Sequence, residues 1–244
     1  MPSNAEIKQY SALRMPKYRQ KYGQFMVEGR KNVLEVFHSD WKIVRILATL
    51  EGIEGLSLPF TPEMISKQDY ARISQMDTPP GLCAIVEMQE WKASQIDFSQ
   101  HIVLALDGIS DPGNLGTLLR TADWFGFRQV LLSDDCTDVY NAKCIAASMG
   151  SFTRMKWVYG NLPALLPGSN VVGCFMDGES LHEMETDFPM VLMVGSEAHG
   201  IRREAAAMVK RRISIPGDGH TESLNAAVAA GIVMHSLFER IKKG

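Results

Sequence analysis

Ile102-Val103-Leu104-Ala105-Leu106-Asp107-Gly108-Ile109-Ser110-Asp111-Pro112-Gly113-Asn114-Leu115-Gly116-Thr117-Leu118-Leu119-Arg120-Thr121-Ala122 is the stretch that decides the fold. Its apolar run, 102–106, reads as a strand that ends on Asp107. A Pro-Gly turn follows, and a helix begins near Asn114, which the spacing makes a candidate cap, with Arg120 in the second turn. The same alternation continues toward the C-terminus, with apolar strands at 130–133, 171–176 and 191–194 and helical stretches at 115–125, 142–149 and 202–209. Continuous apolar strands separated by helices indicate an α/β domain on a parallel sheet covered on both faces. Ligands of such sheets bind beyond the carboxyl ends of the strands.

Outward from that stretch, residues 89–100 are polar and carry no clear period, which places a domain boundary there. The plan is a small α/β domain at 1–92, a linker at 93–100 and the larger domain at 101–244. In the small domain Pro16 interrupts a helical start, Phe25-Met26-Val27 is a short strand, 32–38 is helical, and 43–47 is β-branched and apolar. Ser66 is placed to cap a helix at 68–76, and Thr78-Pro79-Pro80-Gly81 turns the chain into a strand at 82–88.

The bulk properties narrow the function. With 244 residues, 45% hydrophobic and 22% charged, the chain can bury a sizeable core. No apolar run approaches the roughly 20 residues that cross a bilayer, and the first 20 residues are polar where a signal peptide is apolar. These features point to a cytoplasmic protein with no membrane partner. Cys83, Cys136, Cys144 and Cys174 are far apart among apolar neighbours and read as reduced, mostly buried thiols. No His/Cys/Asp cluster has metal-ligand spacing, so no metal is expected.

A net charge of −3 argues against a protein that coats nucleic acid non-specifically. The cationic surplus is local: Lys8, Arg14, Lys17, Arg19, Lys21, Arg30 and Lys31 face only Glu28, with Tyr10, Tyr18 and Tyr22 interleaved. A basic arm with stackable aromatics suits looped RNA and makes Arg14, Lys17, Arg19, Lys21 and Arg30 candidate contacts. A solvated helix face whose tyrosines pack on the core has the same pattern, and both readings stay open.

Two further segments resemble the first in following a strand with small polar residues. Val194-Gly195-Ser196-Glu197-Ala198-His199-Gly200-Ile201 puts a carboxylate at the apex of a turn. Alone, Glu197 need only favour the positive end of a helix, worth roughly 0.3–1 kcal/mol. Ile213-Ser214-Ile215-Pro216-Gly217-Asp218-Gly219-His220-Thr221-Glu222-Ser223-Leu224-Asn225 leads into a helix at 226–238 rich in alanine, which lets another backbone approach closely. Each segment by itself is ordinary structure.

Together, in this order and spacing, the three resemble the motifs of the SpoU (TrmH-type) RNA methyltransferases of the SPOUT superfamily. The residues that carry the resemblance are Asp111-Pro112-Gly113-Asn114-Leu115-Gly116 with Arg120-Thr121-Ala122, then Gly195-Ser196-Glu197 with Gly200, then Ile215-Pro216 with Ser223-Leu224-Asn225. It covers about the last 140 residues; the first 90 are similar to the family's small RNA-binding domain in outline, through 17–22 and 25–29. The chain departs from the commonest pattern at Gly217 and at Arg202-Arg203.

The resemblance implies a parallel-sheet methyltransferase domain with a C-terminal trefoil knot, one of the rare exceptions to unthreaded chains. It implies S-adenosyl-L-methionine as cofactor, held at Gly195, Ile215 and Leu224, and a ribose 2′-hydroxyl of RNA as acceptor. Arg120 is the implied residue nearest the reaction, with Asn114, Glu197, Ser223 and Asn225 organising loops and substrate. A homodimer is implied too, and ribosomal RNA is favoured over transfer RNA because the N-terminal domain is separate. Transfer RNA remains an alternative, as does an RNA-binding protein of the same fold without catalysis. A dinucleotide-dependent oxidoreductase would need the glycine fingerprint and the acidic ribose ligand that this sequence lacks.

Overall fold

The structure, a computed structural model, describes residues 1–166, 168–218 and 223–243. Along the chain run α1 (Asn4–Ala12), α2 (Pro16–Tyr22), β1 (Gln24–Glu28), α3 (Arg30–Phe37), β2 (Ile43–Ala48), α4 (Leu50–Ile53), β3 (Glu63–Met64), α5 (Lys67–Ile73) and β4 (Leu82–Glu87). There follow β5 (Ile102–Asp107), α6 (Pro112–Trp124), β6 (Gln129–Leu132), α7 (Ala142–Ser148), β7 (Lys156–Tyr159), α8 (Leu162–Leu165), β8 (Val171–Ser180), β9 (Met190–Gly195), α9 (Arg203–Ala206), β10 (Arg211–Ser214) and α10 (Ala226–Lys243). These form two compact units, residues 1–89 with 138–153, and residues 90–137 with 154–244.

The first unit has a four-stranded sheet in the order β1-β4-β2-β3. β4 is its antiparallel centre: all six of its residues pair with β1 or β2, and its first five are buried. Helix α1 starts where Ser3 and Glu6 form a capping box, two reciprocal side-chain to backbone hydrogen bonds. Ile7, Tyr10 and Leu13 from this end of the chain join Met26, Leu47, Tyr70 and Ile85 in one apolar cluster. Ser66 caps α5 by accepting the Asp69 N–H at 3.0 Å, as its spacing predicts. Helix α7, whose flanking segment 138–153 belongs to this unit, lies on β1, where Tyr140 and Phe152 meet the ring of Phe25.

The second unit is a six-stranded sheet in the order β10-β8-β9-β5-β6-β7, parallel throughout. Val103, Ala105, Leu131, Val158, Val191 and Met193 cluster on one face against Leu162, Ile201 and Ala205. Each of the larger side chains, the two alanines aside, stabilises the sheet by roughly 1.5–3 kcal/mol. Two differences from the spacing-based expectation matter for the site. Helix α6 starts at Pro112, with Asp111 as its cap, so Asn114 lies in the first turn and Arg120 in the third. Asp111 wins the cap because its carboxylate accepts the Asn114 N–H at 2.8 Å while Pro112 fills the first helical position. Strand β8 runs on to Ser180, and five residues, 174–178, bulge where its register against β10 shifts.

Candidate active site

The strand order fixes where a ligand goes. From β5 the chain proceeds outward to β6 and β7, while β9 pairs on the other side of β5. The crevice beyond the carboxyl ends of β5 and β9, where Asp107 stands opposite Gly195, is therefore the topological switch point. The loops leaving these two strands, 108–111 and 196–202, face one another across it: a Cβ built on Gly108 would lie 3.8 Å from the Ser196 hydroxyl.

Three side chains from distant segments join here. Asn114 Nδ2 donates to Glu197 Oε1 at 2.6 Å. Asn225 Nδ2 donates to Asn114 Oδ1 at 3.0 Å and to Glu197 Oε1 at 3.2 Å. The Ala226 N–H, in the first turn of α10, also donates to Glu197 Oε1, at 3.2 Å. One carboxylate oxygen thus collects three donors and sits at the positive end of an 18-residue helix. Asn225 Oδ1 accepts the Ala227 and Val228 N–H groups at 3.0 and 3.2 Å, so the same residue caps α10. Its position is set by helix and carboxylate together.

The turn carrying Glu197 is tight for a steric reason. The Ser196 carbonyl accepts the Gly200 N–H at 2.8 Å, and a Cβ on Gly195 would lie 2.0 Å from the Gly200 carbonyl carbon. Only glycine fits at 195. Arg120 is exposed on α6 and, among the described residues, has no hydrogen-bond or ion-pair partner. Ser223 is exposed in the segment before α10 and likewise has none there. Ile215 follows the end of β10, and Leu224 is 44% exposed next to Asn225. Residues 219–222 of this last segment, which include His220 and Glu222, lie outside the described residues.

A second polar cluster was invisible to motif reading. Asp107, with a side chain 0% exposed, accepts the Arg202 N–H at 2.7 Å and Arg202 Nε at 2.9 Å, and Arg202 Nη2 reaches the same carboxylate. Arg202 Nη1 donates to Asp135 Oδ2 at 2.9 Å, and Ser133 donates to Asp135 Oδ1 at 2.7 Å. The Ser133 bond, ahead of the arginine, holds the Asp135 carboxyl below its usual range, while hydrogen bonding to Asp107 raises Arg202. The usable signal was Asp107 itself, since an acid ending a buried strand requires a cationic partner. Among the described residues no group of three or more His, Cys, Asp or Glu could hold a metal ion, and no helix is long and apolar enough to cross a membrane.

Of the five basic residues expected on the N-terminal arm, Arg14, Lys17, Lys21 and Arg30 are exposed. Lys17 and Lys21 lie over the Tyr18 and Tyr22 rings, which stack at 6.3 Å. Arg19 is different. Only 3% exposed, it pairs with Asp138 at 2.5 Å and donates through Nη1 to the carbonyls of Leu13 and Arg14, so its guanidinium is spent inside the unit. A buried, fully partnered arginine offers nothing to a phosphate, and Arg19 leaves the set of candidate contacts.

A parallel sheet carrying a hydrogen-bonded Asn–Glu–Asn cluster at its switch point, in a chain with a separate α/β unit, defines a two-unit protein of the SpoU kind. Residues 101–235 match the SpoU rRNA Methylase family and residues 4–84 match the MRM3-like substrate binding domain, and the chain belongs to the SpoU rRNA methylase family. Among its relatives is the 23S rRNA (guanosine(2553)-2′-O)-methyltransferase RlmP of Bacillus subtilis, 30% identical, with 96% of each chain covered. A solved Porphyromonas gingivalis structure assigned to the TrmH family of RNA methyltransferases is 35% identical, with a TM-score of 0.86 over 98% of this chain and 99% of that one. An AdoMet-bound rRNA methyltransferase from Sinorhizobium meliloti is 26% identical, with a TM-score of 0.86 over 98% of this chain and 95% of that one.

Proposed function

We propose that the protein transfers the methyl group of S-adenosyl-L-methionine to a ribose 2′-hydroxyl of ribosomal RNA. The observation that carries this is the joining of Asn114, Glu197 and Asn225, one from each of three motif segments, at the switch point of the sheet. Ribosomal RNA is the substrate class because the full-length RlmP relative acts on 23S rRNA. The site fits the donor: it offers the backbone of the 195–200 turn and the apolar Ile215 and exposed Leu224 for an uncharged adenosine, and it needs no phosphate cradle. When bound, the donor supplies an electrophilic methyl carbon on a sulfonium.

This chain's residues do the rest. Arg120 offers a planar fork of N–H donors that stabilises the alkoxide developing on the ribose or clamps the adjacent phosphate; a guanidinium is not suited to act as the base. Asn114 and Asn225, locked to Glu197, hold the three loops in register, and Ser223 lies beside them in sequence for a hydrogen bond to the ribose. Gly195, Ile215 and Leu224 are the donor contacts. The first unit binds RNA through the exposed Arg14, Lys17, Lys21 and Arg30. The return of the chain from β10 at the sheet edge to α10, capped against Glu197, is consistent with a trefoil knot around the donor loops. Two copies pair through the exposed apolar row of α10, and the enzyme works in the cytoplasm, where its RNA is.

Purified protein incubated with labelled donor and, in separate reactions, total ribosomal RNA and bulk transfer RNA is expected to place label in alkali-resistant dinucleotides of the ribosomal RNA. Label confined to transfer RNA would move the substrate class. No label in either RNA, with S-adenosylhomocysteine still bound, would leave an RNA-binding protein of this fold.

A further inference from the structure

Beyond the carboxyl ends of β5, β6 and β7 lies a cavity of about 420 Å³ that the Asn114–Glu197–Asn225 cluster does not line. Its size suits a small ligand or a single base, since ligand pockets run from about 300 to 1,000 Å³. Asp107, Asp134, Asp135 and Glu204 line it against only Arg202 and Arg203, so a bare phosphate is repelled. Arg202 is held at all three nitrogens, Nε and Nη2 at Asp107 and Nη1 at Asp135, yet remains 49% exposed. With three of its five N–H donors committed to two carboxylates the guanidinium is fixed in orientation, and a fixed cationic plane is a stacking surface for a nucleobase. Leu162 and Pro163 add apolar contact.

Asp134 supplies the other half of a recognition site. It is exposed, lines the cavity and, among the described residues, has no hydrogen-bond or ion-pair partner. A carboxylate only accepts, so it selects a base whose pairing edge presents adjacent donors. Guanine, with N1–H and N2–H2 side by side, is the RNA base that does so. The 196–202 loop connects this cavity to the active site: Glu197 and Arg202 are five residues apart, at most about 18 Å even if extended.

We propose that this cavity takes an unpaired guanine of the substrate RNA, stacked on Arg202 with its pairing edge toward Asp134, while the target ribose lies at Arg120. The proposal rests on the methyltransferase reading for its substrate. Its test is calorimetric titration of the full-length protein, saturated with S-adenosylhomocysteine so that the donor site is filled, with the four nucleoside 5′-monophosphates. GMP is expected to bind at least about fivefold more tightly than AMP, CMP or UMP. Arg202→Lys, which keeps a charge for Asp107 but no planar face, should weaken GMP about tenfold. Asp134→Asn should bring GMP to the level of the other three, with S-adenosylhomocysteine affinity unchanged. Equal binding of all four nucleotides by the wild type, or GMP binding untouched in both variants, overturns the proposal. If Arg202→Lys does not fold, Asp134→Asn, at an exposed and unpartnered carboxylate, decides alone. Failure of the methyltransferase reading shows separately, as wild-type protein that binds no S-adenosylhomocysteine, and the GMP titration reads the cavity in that case too.

Discussion

Glu197 concentrates the chemistry of the site in one oxygen atom. Because its Oε1 accepts from Asn114, Asn225 and Ala226 together, a change at any of the three is felt by the others. Asn225→Asp separates two roles of one residue. The aspartate still caps α10, so the melting temperature should fall by no more than about 5 °C. It cannot donate to Glu197 or Asn114, and it sets a second carboxylate beside the first, so turnover should drop by about 100-fold or more in a methyl-transfer assay. Arg120→Ala should abolish turnover while leaving S-adenosylhomocysteine affinity within a few-fold, because the exposed side chain has no partner among the described residues whose loss would disturb the donor loops. A variant with wild-type rates would remove Arg120 from the mechanism. At this scale the sequence was legible where residues sit in fixed order around turns, which is how Asn114, Glu197 and Asn225 could be named together. It was illegible where partners lie far apart without a pattern: Asp107 and Arg202 are separated by 95 residues, and Arg19 and Asp138 by 119. An arginine in a basic run looks the same on paper whether it faces water or a buried acid.

The elements show the same division. Strands β5, β6 and β9 are continuous apolar runs, and a run buried on both faces announces itself. Strand β7 is only Lys-Trp-Val-Tyr, too short to carry a period, and was not foreseen. Helix α7 was foreseen as a helix of the larger domain, but its contacts lie with β1 in the first unit, because Tyr140 and Phe152 complete an aromatic cluster around Phe25 that no local pattern reveals. On the proposed function, the turn after β9 is the element on which donor binding most depends. Gly195→Ala would drive a methyl group to 2.0 Å from the Gly200 carbonyl carbon, and backbone cannot give way as a flexible side chain does. The turn must open by an ångström or more, which displaces Glu197. The expected result is a loss of S-adenosylhomocysteine affinity of about 100-fold by calorimetry in a protein that still folds; unchanged affinity would show that the turn does not contact the donor.

For the whole molecule the open surface is apolar where two helices meet. Gly231 of α10 faces Thr121 of α6, its would-be Cβ 3.7 Å from Thr121 Cγ2, which lets the two helices approach closely. Beside this seam Leu224, Val228 and Ile232 recur at every fourth residue, and Val228 and Ile232 are 52% and 41% exposed, with Trp124 on α6 80% exposed. Val228 and Ile232, four residues apart on α10, lie on one helix face with Leu224 in the segment just before it, and contiguous exposed apolar surface of this kind marks an interaction surface. If two copies meet here, the proposed donor contact Leu224 and the cap residue Asn225 stand at the interface, and pairing and donor binding are coupled. Val228→Glu with Ile232→Glu leaves the core of α10 intact, since Ala230, Val233, Met234 and Leu237 face inward. The double variant should keep its helical content by circular dichroism, run as a single chain by light scattering where the proposed wild-type dimer runs as two, and bind S-adenosylhomocysteine at least about tenfold more weakly. A double variant that stays dimeric would place the interface elsewhere, and a monomeric variant with full affinity would show that each chain builds its donor site unaided.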